Sequence, residues 1–387
     1  MSLSTDEQRS NPPRTRWTWL LCALGVVGAV VALGTAPHQA RGAAGQTWTP
    51  FVLVAGLLLI GLVAEGDGLF RAAGSHLARV ARQGVVLFAG ATLLIVVVTA
   101  TLNLDTSVVF LTPVLVAAAR HRGAGERPLL YGSILLANAS SLFLPGSNLT
   151  NLIVVGHMPL SGGAFLALMW PAALVACVVT SVSIAVWARH DLMASAAPVT
   201  EVERPVVGVG VLAVLLAVIL VVSLRSPALP VLVVGVVAVA VRVAQRHTRI
   251  DQVAGIVGAP VLVGLFGITI GLGALGRVWS GPATLLSHAD GVGVAAIAAL
   301  TSVLVNNLPA AALLAARNPH HSAQLLVGLN LGPNLFVTGS LAWFLWLRVA
   351  RACGLNPSLW QASRLGLVVV PLSIAAALGA LALAGSG

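Results

Sequence analysis

Long apolar runs, interrupted by very little charge, constrain this chain more than any other feature. They fall at 17–35, 50–64, 85–101, 105–119, 128–157, 163–188, 206–223, 228–242, 252–272, 291–316, 322–348 and 358–384. About 20 apolar residues cross a bilayer as a helix. Only 8% of the 387 residues are charged and 58% are hydrophobic, with a mean hydropathy of +0.98. A soluble domain carries about 25% charged residues. The pattern therefore predicts an all-α polytopic membrane protein. Its 40 Gly and 20 Pro suit close helix packing and broken helices.

All the basic residues are Arg, and the net charge is +10. The arginines sit in short segments between apolar runs, which points to topology rather than nucleic acid. Without Lys the chain has no Walker A loop, so it is not itself a P-loop ATPase. Cys22, Cys177 and Cys353 are far apart, and no CxxC occurs. A disulfide framework or thiolate metal site is not expected. The polar tail at 1–16 precedes a run too long for a signal peptide, so 17–35 reads as a retained first helix.

With the tail in the cytoplasm, and with 85–119 and 291–316 each entering and leaving on one side, the arginines sort by side. Arg9, Arg14, Arg16, Arg71, Arg79, Arg82, Arg120, Arg122, Arg127, Arg189, Arg204, Arg242, Arg246, Arg249, Arg348 and Arg351 fall inside, and Arg41, Arg225, Arg277 and Arg317 fall outside. That is a strong positive-inside bias, and it leaves the C-terminus external. The same reading exposes a repeat. Residues 17–188 run helix, helix, hairpin (85–119), broken crossing (128–157), helix. Residues 228–384 repeat that order from the other side, with hairpin 291–316 and broken crossing 322–348, and the intervening 189–227 supplies a loop and a linking helix that inverts the second repeat. Two inverted repeats with re-entrant hairpins and broken transmembrane helices are an architecture of secondary transporters.

Polar residues interrupt the apolar runs at four matching places. The first tip, "TLNLDTSVVFLTP", holds Asn103, Asp105, Thr106 and Thr112. The first break, "LANASSLFLPGSNLTNLI", holds Asn138, Ser147, Asn148, Thr150 and Asn151. The second tip, "LTSVLVNNLPA", holds Thr301, Ser302, Asn306 and Asn307, and the second break, "GLNLGPNLFVTGSLA", holds Asn330, Asn334, Thr338 and Ser340. Pro145 with Gly146, and Gly332 with Pro333, are the expected breakers. Backbone groups freed in a medium without water must find partners, and such breaks can hold an ion or small solute. The same residue types also cap helix ends and join helices.

Asp105 is the acid most closely flanked by apolar runs, a position where acids are costly and usually functional. Removing a carboxyl from water favours its neutral form, which suits proton binding and release. In the second tip, Asn306 and Asn307 stand where Asn103 and Asp105 stand in the first. The nine His lie in loops or at edges, and the adjacent His320 and His321 are poorly spaced for a metal. "GLGALG" at 271–276 reads as a helix exit rather than a nucleotide loop. No HExxH, GxSxG or paired catalytic acids occur at membrane depth, so no enzyme, catalytic residue, metal or cofactor is expected.

"LPGSNLTNLI", "VNNLPA", "LGPNLFVTGSLAWFLWL" and the "NLDTSVVFLTP" tip resemble the arsenite-efflux permeases of the ArsB family, over roughly residues 50–384. That family belongs to an ion-transporter superfamily that includes sodium/dicarboxylate symporters. Val337 and Thr338 depart from the family's Pro-Ile pair, whereas "GSNLTN" differs from the Gly-Thr-Pro-Pro-Asn turn of the dicarboxylate branch. The resemblance implies export of arsenite or antimonite, as a proton antiporter in a bacterial inner membrane or with an ArsA-type ATPase partner. It implies coupling at Asp105 and a solute site at Asn103, Thr106, Ser147, Asn148, Thr150, Asn151, Asn306, Asn307, Thr338, Gly339 and Ser340. A sodium- or proton-coupled carboxylate or cation carrier of the same fold is the alternative. Superfamily relatives are often homodimers, which makes a second copy a candidate partner.

Overall fold

Chains this apolar have one way to satisfy their backbone away from water, and that is to coil every segment into helix. In the computed structural model, which describes residues 14–156, 160–193, 208–248 and 250–385, all regular structure is helical. The first half holds α1 (Arg14–Thr35), α2 (Pro37–Gly66), α3 (Leu69–Val80), the hairpin α4 (Gly84–Thr101) and α5 (Leu104–His121), then α6 (Arg127–Ser140) and α7 (Leu149–Val155) of the broken crossing, and α8 (Gly162–Trp187). The short α9 (Arg189–Met193) and the crossing α10 (Val209–Ser223) lead into the second half. There follow α11 (Ala228–Ala244), α12 (Ile250–Val257), α13 (Ala259–Val278), α14 (Gly281–Ser287), the hairpin α15 (Gly291–Val305) and α16 (Asn307–Leu314), α17 (Ser322–Leu331) and α18 (Leu341–Ala352) of the second broken crossing, and α19 (Leu359–Leu383). Among the described residues, six helical stretches are long and apolar enough to span a bilayer: α1, α2, α4, α8, α19 and the α12–α13 stretch.

The packing of the two halves reciprocates. α1 lies along α13 as α11 lies along α2. α4 packs on α6 as α15 packs on α17, α5 on α18 as α16 on α7, and α8 meets its own counterpart α19. Residues 128–140 of α6 and 323–331 of α17 are buried on every side, as helices apolar all round should be. These two helices and the breaks that follow them form the centre of the molecule.

Several sequence boundaries shift. The run expected at 50–64 is the second half of α2, which starts at Pro37 and is joined to α1 through Ala36 alone, so Arg41 lies in a helix and not in a loop. Polar His38, Gln39, Arg41 and Gln46 hid that extension from a hydropathy reading. The run at 252–272 divides at Gly258, whose φ of +55° interrupts the helix, and then continues to Val278. "GLGALG" is therefore helical interior, not an exit. The amphipathic α3 and the short α14, unforeseen, occupy matching places ahead of the two hairpins. The tail expected at 1–16 falls mostly outside the described residues, as does Arg204.

α1 is held by close backbone approach. A Cβ on Gly25 would collide with the carbonyl of Gly264, one on Gly267 with the carbonyl of Gly25, and one on Gly264 would lie 2.7 Å from the Leu21 oxygen. Small residues of this kind let membrane helices touch backbone to backbone. Gly25→Ala is expected to prise α1 from α13 and destabilise the protein by about 1–3 kcal/mol. Thermal unfolding in detergent measures it, and an unchanged midpoint would refute the close approach.

At one end of the bundle the Asp67 carboxylate, 5% exposed, accepts from Arg242 of α11 at 2.5 Å and from the Gly210 amide of α10 at 2.7 Å. At the other end, Gln46 of α2 donates to the carbonyl of Ile153 in α7 at 2.9 Å and accepts from Arg277 of α13 at 2.6 Å. Neither arrangement was evident in the sequence, where Asp67, Gln46 and the two arginines looked like loop or edge residues.

Candidate transport site

The first tip is a cap. Leu102 and Asn103 turn the chain between α4 and α5, and the Asn103 Oδ1 accepts from the Thr106 amide at 2.7 Å. This is the N-cap role that short polar side chains fill. The Asn103 Nδ2 and the Thr106 Oγ1 are buried and have no hydrogen-bond partner. Thr106 abuts α2, where Gly61 leaves room for its methyl group. Asp105 lies half-buried in the first turn of α5, where the helix dipole favours a negative charge. It makes no hydrogen bond or ion pair among the described residues.

The first break is a 3₁₀ turn, Pro145–Ser147, between two extended residues, Leu144 and Asn148. The Ser147 hydroxyl donates to the Ala100 carbonyl at 3.1 Å, which joins the break to the hairpin. The Asn148 Oδ1 caps α7 by accepting from the Thr150 amide at 3.2 Å. Thr150 is fully buried with its Oγ1 unpartnered. The Asn151 Nδ2 donates to the carbonyls of Ser141 at 2.6 Å and Leu144 at 3.2 Å, closing the break on itself.

The second half repeats the geometry with other side chains. Asn306 holds φ +78° and ψ +148°, a combination that costs a non-glycine residue about 1–3 kcal/mol and clusters at functional sites. Its Oδ1 accepts from the Leu308 amide at 3.4 Å, and its Nδ2 donates to the Thr338 carbonyl at 3.3 Å. The exposed Thr338 hydroxyl donates to the Val303 carbonyl at 2.8 Å, so the second tip and second break are also joined. Asn307 and Ser340 are buried, and the Ser340 Oγ has no partner. Gly339 packs on Pro333, where a Cβ would stand 2.5 Å from the Pro333 Cα.

Two registers differ from the sequence reading. The 3₁₀ turn that matches Pro145–Ser147 is Val337–Gly339, beyond the turn Gly332–Asn334 that ends α17. At the tips, Asn306 takes the capping place of Asn103, so Asn307 stands opposite Leu104 and Leu308 opposite Asp105. The carboxyl has an apolar counterpart, not an amide. Likewise Asn151 is matched by Trp343, whose indole N–H donates to the Pro333 carbonyl at 2.8 Å.

Asn330 links the halves. Fully buried on α17, its Oδ1 accepts from the Ser141 hydroxyl at 2.6 Å and from the Asn148 Nδ2 at 2.9 Å. Its Nδ2 donates to the Asn151 Oδ1 at 2.7 Å and to the Leu326 carbonyl at 2.8 Å. On α6, Asn138 donates to the Asn334 Oδ1 at 2.8 Å, and the Asn334 Nδ2 donates to the Leu135 carbonyl at 3.0 Å. Asn138, Asn330 and Asn334 are polar interruptions to which the sequence assigns no role in the site, unlike Asn148 and Asn151, and nothing in the sequence marks Ser141. One signal was available: Asn138 and Asn330 stand the same distance ahead of Leu144 and Phe336, which open the matching turns.

The structure thus brings Ser147 to the first tip, Asn306 to Thr338, and Asn148 with Asn151 to Asn330. It leaves Asp105 without a polar contact to any of them. The four motifs carry one charged side chain, Asp105, among amides and hydroxyls.

Helical hairpins tied to broken crossings, in reciprocating halves, define a polytopic membrane transporter. The chain belongs to the CitMHS family, described as citrate transporter, whose model matches residues 15–340. The arsenical pump membrane protein of Yersinia enterocolitica is 26% identical over 403 positions, covering 95% of this chain and 93% of that one. The arsenical pump membrane protein of Escherichia coli (strain K12) is 26% identical over 395 positions, covering 92% of each. These relatives agree with the resemblance drawn from the motifs. The crystal structure of the Alcanivorax borkumensis YdaH transporter shares the fold, with a TM-score of 0.55 at 16% identity over 97% of this chain and 98% of that one.

Proposed function

We propose that this protein exports trivalent arsenite or antimonite across a bacterial inner membrane as a proton antiporter, with its N-terminus cytoplasmic and its C-terminus external. The observation that carries this reading is the electrical character of the tips and breaks. Their polar groups are amides and hydroxyls, several of them buried and unpartnered (Asn103, Thr106, Thr150, Ser340), with one carboxyl and no basic side chain. Arsenous acid is neutral at neutral pH and bears hydroxyls that both donate and accept. A citrate ion would meet no cationic partner and one negative charge.

In this reading the solute binds at Asn103, Thr106, Ser147, Asn148, Thr150, Asn151, Asn306, Asn307, Thr338, Gly339 and Ser340. Asp105 takes a proton from one side and releases it to the other as the tips and breaks alternate their access. The arsenical-pump names of the relatives support this cargo. The family description supports the second reading, a carboxylate carrier in which bound sodium supplies the missing positive charge.

The test is uptake of arsenite into everted membrane vesicles. A pH gradient is expected to drive it, a protonophore to abolish it, and sodium to leave it unchanged. Uptake that follows sodium and is blocked by citrate would replace the first reading with the second. Uptake by the purified protein in liposomes without an ArsA-type ATPase is expected, and a strict need for that ATPase would make the chain a pump subunit. Cross-linking in membranes reports whether a second copy assembles with it.

A further inference from the structure

Four arginines fall on the side of the proposed topology that disfavours positive charge. Three of them converge on one place. The Arg317 guanidinium donates to the Arg277 carbonyl at 2.6 Å, and the Arg277 guanidinium donates to Gln46. Gln46 in turn lines a cavity of about 210 Å³ whose rim carries Arg225. Its walls come from the middle of α2 (Thr49, Leu53), the first break and α7 (Pro145, Leu152) and the turn between α10 and α11 (Arg225, Ser226).

The arginines that meet here are placed differently. Arg277 and Arg317 are committed to protein acceptors, and through Gln46 they tie the ends of α7 and α13 to α2 beside the cavity. Arg225 is exposed and makes no hydrogen bond or ion pair among the described residues. A guanidinium left free beside the hydroxyls of Thr49 and Ser226 presents the donors that oxyanions take, in a concave setting where the surrounding charge is of one sign. The cavity is smaller than the roughly 300–1,000 Å³ of pockets for drug-sized ligands. It has room for a small anion with its water. Pro145, the first residue of the 3₁₀ turn in the first break, also lines it.

We propose that this cavity is an anion-accepting vestibule on the external face, distinct from the tip site, and that Arg225 is its recognition residue with Thr49 and Ser226 as hydroxyl partners. The ligand class is a small anion with two or more oxygens, an inorganic oxyanion or a short polycarboxylate. Such an anion bound against Pro145 would sit on the outward path from the break, where it either enters as cargo or obstructs release. The inference concerns binding and stands apart from the identity of the transported solute.

The experiment uses the full-length protein in detergent, with the fluorescence of Trp48, next to Thr49, and of the other tryptophans as readout. Inorganic phosphate and citrate are the probes, titrated at low salt. Saturable binding is expected for at least one of them. It should be about tenfold weaker or more in Arg225→Gln and restored in part by Arg225→Lys, since a charge-assisted bond contributes on that scale. Thr49→Val, buried in part and uncharged, should weaken it by a smaller factor and guards against misfolding of the arginine variants. Saturating arsenite should leave the binding in place. Absence of saturable binding by either anion in the wild type, or equal affinity in Arg225→Gln, would overturn the proposal. Loss of binding on adding arsenite would overturn its separation from the tip site. Arsenite transport in vesicles is a separate readout, so failure of the vestibule and failure of the exporter reading are told apart.

Discussion

Asp105→Asn should raise intracellular arsenite to the level of cells that lack the transporter. The amide matches the carboxyl in size, occupies the same first turn of α5 and breaks no contact, because Asp105 makes no polar contact among the described residues. What the substitution removes is the capacity to take up and release a proton. The second tip offers no substitute, since the residue in the matching place is Leu308. Gradient-driven efflux should therefore vanish while the protein still folds and inserts. Exchange of arsenite down its own gradient, which needs binding and alternation but no coupling, should survive. Efflux from preloaded cells, measured with and without a protonophore, separates the two. Proton-driven efflux at the wild-type rate in Asp105→Asn would remove this residue from the coupling role.

Asn330→Leu should cost stability and transport together. Leucine keeps the branched shape but strands two buried groups, the Asn148 Nδ2 and the Asn151 Oδ1, while the Ser141 hydroxyl turns its one proton to the Asn138 carbonyl at 2.7 Å. An unsatisfied buried group costs about 1–3 kcal/mol in general, and interhelical hydrogen bonds in membranes average about 0.6 and reach about 1.7 kcal/mol. A loss of about 2–4 kcal/mol follows, read as an apparent melting temperature several degrees lower. Asn330→Asp should behave differently. It keeps the acceptor for Ser141 and Asn148 but withdraws the donor to Asn151 and buries a charge, so the first break should loosen on the Asn151 side. A melting point and efflux rate unchanged in Asn330→Leu would mean that the halves are not joined through this residue.

The features that were legible in the sequence are those set by local chemistry. Pro145 lacks an N–H and Gly146 lacks a side chain, so a break there follows from the residues themselves. The caps at Asn103 and Asn148 follow from short polar side chains ahead of helical runs. Long-range pairing was not legible. Nothing near Asn330 announces that its partners lie at Ser141, Asn148 and Asn151, and nothing near Asp67 announces Arg242. Hydropathy placed the start of α2 too late because a helix that buries Gln46 against the Ile153 carbonyl and Arg277 looks like a loop when its partners are unknown. The tip register failed for a related reason. Two adjacent asparagines offered two alignments, and only the backbone at Asn306 decided between them.

The glycine seam between α1 and α13 bears on how the chain is made. α1 leaves the ribosome well before its tight partner α13, with eleven helices made between them. Until then the Gly25 face has lipid for a neighbour, and the seam closes late. α2 waits in the same way for α11. The early helices are thus inserted long before they are packed, and assembly is governed by contacts distant in sequence, the regime in which folding is slow and partly built forms are exposed to misassembly. A substitution such as Gly25→Ala would act at that late docking step, and its first sign in cells would be turnover of newly inserted chains.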